Sequence, residues 1–125
     1  MAGLTLDAGP LIAWDRGDRL AHAWIAEAQE RKLVPRVAAP VIAEVWRGGR
    51  RSARLAHLLK ACRVDPADDP LARYAGELLG ACGGDSTIDA LVVAHAARCG
   101  DDVLTTDPQD LTPLAQRAGV RLIEF

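Results

Sequence analysis

Short β-like runs alternate with helical patterns along the sequence, and that alternation leaves few architectures open. GLTLD (3–7), RVAA (36–39), CRVDP (62–66), DVLTTD (102–107) and VRLIEF (120–125) read as strands. A short helix is expected after Pro10. A longer one from about Asp18 to Arg31 sets Leu20, Ala23, Trp24 and Ala28 at helical spacing. Pro40 opens PVIAEVWRG at a position where its missing N–H costs nothing. RSARLAHLLKA, DPLARYAGELLGAC, STIDALVVAHAARCG and PQDLTPLAQRAG complete the helical set, with Gly48-Gly49 and Gly83-Gly84 as breaks. Strands separated by helices imply crossover connections, so the expected class is α/β: a central parallel sheet flanked by helices in three layers, α/β/α.

The chain has 125 residues, half of them apolar, which suits a single domain over 1–125 with one real core. No apolar run reaches the roughly 18 residues of a membrane span. The first residues lack the charged-then-apolar pattern of a leader. A cytoplasmic protein without a membrane partner is therefore expected.

Four carboxylates hold unusual positions. Asp7 ends the first strand and Asp107 ends DVLTTD, directly before Pro108. In a parallel sheet both strand ends lie on one edge, where open α/β sheets place their chemistry. Asp89, in the first turn of the helix running on as ALVVAHAA, begins on that edge. Glu44, at about 100° per residue, falls beside the apolar face of PVIAEVWR rather than opposite it. Such a cluster is repulsive unless compensated, since close carboxylates disfavour each other's ionised form. A divalent cation resolves the conflict, and also acidifies a bound water and orients a phosphodiester for in-line attack. The three cysteines (Cys62, Cys82, Cys99) and three histidines (His22, His57, His95) are scattered and match no metal spacing. The ion expected is therefore a hard one held by oxygen, Mg²⁺ or Mn²⁺.

Three of the four acids also have a structural reading. Asp7 fits an Asx-turn, Asp89 lies at capping-box spacing from Ser86, and Asp107 with Pro108 fits an N-cap and its following proline.

These stretches resemble the PIN domain family, and more narrowly the VapC-type toxins of bacterial toxin–antitoxin pairs. LDAGPLIA, IAEVWRG, IDALVVAHA and LTTDPQDL occur in family order from residue 4 to about 111. The resemblance implies a metal-dependent endoribonuclease that cleaves RNA, usually dimeric and inhibited by a cognate VapB-type antitoxin in a hetero-oligomer. By motif position Asp7, Glu44, Asp89 and Asp107 would be the catalytic and metal-binding acids, with Asp7 and Asp89 the strictest ligands. Asp110 in DPQD would have a supporting role. Thr5 and Thr106 flank the strand-end acids and are expected to orient water. Asp85, one turn before Asp89, is either a further ligand or an acid favoured by the helix dipole, the second being preferred.

A formal charge of −2 gives no global nucleic-acid footprint, although thirteen of the fifteen Lys and Arg residues are arginine. Arg47, Arg50, Arg51 and Arg54 follow the Glu44 helix and fit three uses: binding RNA phosphates, meeting an acidic antitoxin segment, or forming a solvated surface. Trp24 is expected in the core, Trp14 and Trp46 at an interface. A dehalogenase-like phosphatase would want a second Asp where Gly9 stands, and a receiver domain a lysine later than Lys60. No nucleotide-binding glycine motif is present. The remaining rival is a catalytically silent PIN-like binding module, which would usually have lost one or more acids.

Overall fold

The structure, a computed structural model, describes residues 3–125. Strand β1 (Gly3–Leu6) leads into helices α1 (Ala8–Asp15) and α2 (Arg19–Glu30), then β2 (Arg36–Ala38) and α3 (Ala39–Val45). A 3-10 turn (Gly49–Ser52) precedes α4 (Ala53–Lys60), β3 (Arg63–Asp65), α5 (Asp69–Cys82) and α6 (Thr87–Cys99). The chain finishes with β4 (Asp101–Thr105), α7 (Pro108–Ala118) and β5 (Leu122–Glu124).

All strand pairings are parallel, in the order β3-β2-β1-β4-β5. The first three strands wind outward from β1 in one direction. The chain then returns to the other side of β1 to place β4 and β5. The reversal falls between β1 and β4, and the crevice at the carboxyl ends of such a strand pair is where open α/β sheets bind ligands. Helices α5, α6 and α7 pack on one another, while α2, α3 and α4 gather around α1. The expected three-layer arrangement with a central parallel sheet is the one found.

Helix α6 explains its own composition. Every residue from Ala90 to Ala96 is buried, because the helix is covered by the sheet on one side and by α5 and α7 on the other. A helix in that position must be apolar nearly all round. Leu6, Leu11, Leu104 and Leu111 are completely buried, each contributing about 1.5–3 kcal/mol of side-chain burial. Gly100 closes α6 at φ 71°, in the left-handed region, and turns the chain straight into β4. No helix among the described residues is long and apolar enough to cross a membrane.

Local boundaries depart from expectation in two places that matter. Helix α1 begins at Ala8, before Pro10, because a proline in the first turn needs no hydrogen-bond acceptor. Helix α3 stops at Val45, and Trp46 is extended at φ −69°, ψ 130°. Arg47 is therefore in a loop and not on the helix that carries Glu44.

Candidate functional site

Asp7 occupies the N-cap position of α1, yet its carboxylate makes no capping hydrogen bond. Asp107 stands in the same way before α7, again without a side-chain cap bond. Two other aspartates show what capping looks like in this molecule. Asp18 accepts from the N–H groups of Leu20 and Ala21, and Asp68 from that of Leu71. The Asx-turn reading of Asp7 and the capping reading of Asp107 therefore fail: their carboxylates are left for something else.

What holds Asp7 is Thr105, whose buried hydroxyl donates to Asp7 Oδ2 at 2.8 Å. The same hydroxyl accepts the backbone N–H of Asp107 at 3.0 Å. The Asp7 N–H continues the β1–β4 ladder to the Leu104 carbonyl, 3.0 Å. Both strand-end acids are thus fastened to one point at the winding reversal. Gly9 lets α1 start so close: a Cβ there would collide with the Thr106 side chain.

The other acids join them electrostatically. Partial burial, then the charges of Asp7 and Asp89, push the Glu44 carboxyl above its ordinary range. Asp89, half-buried, is likewise pushed up, first by burial and then by Asp7, Asp110 and Asp107, against a lowering hydrogen bond from Ser86. Asp110 acts on Asp89 more strongly than Asp107 does. The capping relation of Ser86 to Asp89 is real, since Ser86 Oγ accepts the Asp89 N–H at 3.3 Å. Ser86 thus meets both the backbone N–H and the carboxylate of Asp89. All these donors are carboxylate oxygens, the set that suits a hard divalent cation.

Several expectations need correction. Thr5 does not orient water beside Asp7: it is buried and bonded to Asp101 and His95. Thr106 is exposed, and the hydroxyl that serves the rim is that of Thr105. Asp85 precedes the Ser86 cap, so it is not a first-turn acid of α6. It lines a cleft of about 450 Å³ with Asp89, Asp110 and Pro113. Trp14 is partly buried against the core, stacked on exposed His22 at 3.8 Å and donating to the Arg54 carbonyl. Trp24 packs against the core as expected, and Trp46 is exposed.

The four arginines divide into two kinds. Arg47 folds back onto the carbonyls of Ala43, Glu44 and Trp46, at 3.3, 3.1 and 2.7 Å, capping the end of α3. Arg54 reaches the Asp15 carbonyl at 3.4 Å, closing the end of α1. Arg50 and Arg51 stand exposed on the 3-10 turn with no side-chain hydrogen bond or ion pair among the described residues. Buried Ser52 fixes that turn by accepting the N–H groups of Arg47 and Gly48.

One convergence was not anticipated. Asp65, His95 and Cys99 come together away from the rim, with a potential ligand atom of each within 4.8 Å of the others. The i, i+4 spacing of His95 and Cys99 on one helix was the only local sign of it.

Residues 4–113 match the PIN domain family. No curated protein matches the chain. Among solved structures, a chain of VapBC2 from Rickettsia felis, bound to a DNA fragment from its promoter, superposes with a TM-score of 0.80 at 14% identity, covering 98% of both chains. A chain of FitAB bound to an IR36 DNA fragment gives a TM-score of 0.66 at 17% identity, covering 97% of this chain and 94% of that one.

Proposed function

Because the chain belongs to the PIN domain family, we propose that it is a metal-dependent endoribonuclease and the toxin of a type II toxin–antitoxin pair. The observation carrying this reading is the gathering of Asp7, Glu44, Asp89, Asp107 and Asp110 at the winding reversal, with Asp7 and Asp107 free of any capping duty. Such an all-oxygen set fits Mg²⁺ or Mn²⁺. When bound, the ion acidifies a coordinated water and neutralises the phosphodiester.

The chain's own groups divide the rest of the work. Asp7 and Asp89 are the principal ligands. Thr105 fixes Oδ2 of Asp7, so the carboxylate holds one orientation. Glu44 and Asp107 complete the site and position the attacking water. Asp110 supports Asp89. Arg50 and Arg51 hold phosphates flanking the scissile one.

The partners proposed are RNA as substrate and a VapB-type antitoxin, in a homodimer that enters a toxin–antitoxin hetero-oligomer in the cytoplasm. The VapBC2 and FitAB complexes, which share this fold, support the antitoxin reading.

Incubating the purified protein with total cellular RNA, in Mg²⁺, Mn²⁺ or EDTA, tests the proposal when run beside Asp7→Asn. Discrete fragments that require metal and vanish in the variant are expected. Intact RNA in every condition, with a folded protein freed of partner, favours a silent binding module instead.

A further inference from the structure

His95 and Cys99 lie one turn apart on α6, and Asp65 ends the edge strand β3 beneath them. His95 Nε2 stands 2.9 Å from Asp65 Oδ2 and 3.8 Å from Cys99 Sγ. A tetrahedral zinc site with ordinary bond lengths separates its nitrogen, oxygen and sulfur ligands by about 3.3–3.6 Å. The three ligand atoms, all within 4.8 Å of one another, lie close to that spacing.

The protons around His95 point the same way. Thr5 Oγ1 donates its only proton to Asp101 Oδ2 at 2.8 Å, and the other Asp101 oxygen takes Arg36 Nη1 at 2.7 Å. Towards His95 Nδ1, 3.2 Å away, the Thr5 oxygen can therefore only accept. Nδ1 carries a hydrogen; Nε2 either donates to Asp65 in the protonated ring or, once that proton is released, offers a lone pair to a metal ion. That lone pair faces a carboxylate oxygen and a sulfur. With the Cys99 proton released as well, the three atoms offer one nitrogen, one oxygen and one sulfur ligand to a single ion. A ligand histidine whose other nitrogen donates into a hydroxyl–carboxylate chain is also the usual supporting arrangement of a metal site.

We infer that Asp65, His95 and Cys99 form a second metal site, for a borderline-soft divalent ion of the Zn²⁺ type. It is separate from the carboxylate rim, whose donors are all oxygen. His95 is fully buried, whereas Asp65 and Cys99 are half-buried. The ion therefore enters from the β3 edge, and water takes the fourth position. The remaining Asp65 oxygen is held by Arg63 at 2.9 Å, which keeps the ligand oxygen turned towards His95. Bound there, the ion fastens the three-residue edge strand β3 to the central helix α6. Of the nearby cations, Arg36 is paired with Asp101 and Arg98 with Asp68, and Arg63 is held on the Asp65 oxygen that faces away from His95.

Co²⁺ serves as the reporter, added to the reduced, metal-stripped full chain in excess Mg²⁺ so that the rim is filled. A thiolate-to-cobalt charge-transfer band is expected to saturate at one equivalent and to be displaced by Zn²⁺. The band should persist in Cys62→Ala, Cys82→Ala and Asp7→Asn and be lost in Cys99→Ala, and Zn²⁺ should raise the melting temperature only where Cys99 is present. Cys99→Ala is preferred over a His95 variant because its half-buried thiol at a helix end is the safer truncation. Absence of the band in the wild type, or a band of equal strength in Cys99→Ala, overturns the site and leaves a proton as the link between His95 and Asp65.

Discussion

Thr105, the last residue of β4, donates its hydroxyl to Asp7 Oδ2 over 2.8 Å, from 98 positions away in sequence. One hydroxyl thereby orients the carboxylate of Asp7 and, by accepting the Asp107 N–H, sets the start of the loop after β4. The relation exists only because the winding order places β4 beside β1. The parallel topology is thus what builds the site.

Thr105→Val keeps the volume and removes the hydroxyl. It is expected to cost about 1–3 kcal/mol of stability through the unsatisfied partners. Metal-dependent cleavage should fall roughly 10–100-fold, the usual effect of losing a group that orients a ligand. Thr106→Ala, next door but exposed, should change neither. Melting curves and a Mg²⁺ titration of activity check both, and full activity in Thr105→Val would remove the hydroxyl from the site.

The arginines separate by what they already hold. Arg50→Ala with Arg51→Ala should weaken RNA binding at low salt and reduce the slope of log affinity against log salt by about two, one for each phosphate no longer neutralised. Arg47→Ala should leave that slope alone and lower stability by about 1 kcal/mol, since its guanidinium caps α3. Equal slopes in the double variant and the wild type would exclude Arg50 and Arg51 from the RNA path.

Acidity should act oppositely on two sets of carboxylates. Glu44 and Asp89 bind protons more tightly folded than unfolded. Without divalent ions they therefore destabilise the fold at neutral pH, and that penalty is relieved as pH falls through their raised range. Asp65 is lowered: burial raises it, but the hydrogen bonds from His95 and Arg63 outweigh that. Its contribution is present above the ordinary aspartate value of 3.8 and lost as pH falls below it. Melting temperatures in EDTA should thus rise as pH falls from neutral into the raised range of these two carboxyls, and rise less in Asp89→Asn or with saturating Mg²⁺. An identical rise in all three would deny the repulsion.

The strand–helix alternation made the layered parallel fold legible, and strand ends followed by Gly-Pro or Pro made Asp7 and Asp107 legible with it. Asp89 and Glu44 followed from where their helices had to begin. Strand order was not legible, because nothing local says on which side of β1 the later strands return. For that reason Thr105 was missed and Thr5 misassigned: their partners come from strand neighbours and from α6. Helix α3 ends at Val45, short of the Gly48-Gly49 break that its pattern suggests, and Arg47 turns back to cap it. The meeting of Asp65 with His95 spans 30 residues and two elements, beyond what local spacing can report.

Mn²⁺ binding, measured by titration calorimetry in a Cys99→Ala background, bears most directly on the carboxylate rim as a metal centre, because that background silences the second site. Binding to the parent should be weakened at least roughly tenfold, or lost, when Asp89→Asn is added, since a principal ligand is gone. The melting temperature without metal should hold or rise, as repulsion is relieved. Mn²⁺ affinity unchanged by Asp89→Asn would contradict the assignment of the rim as the metal centre.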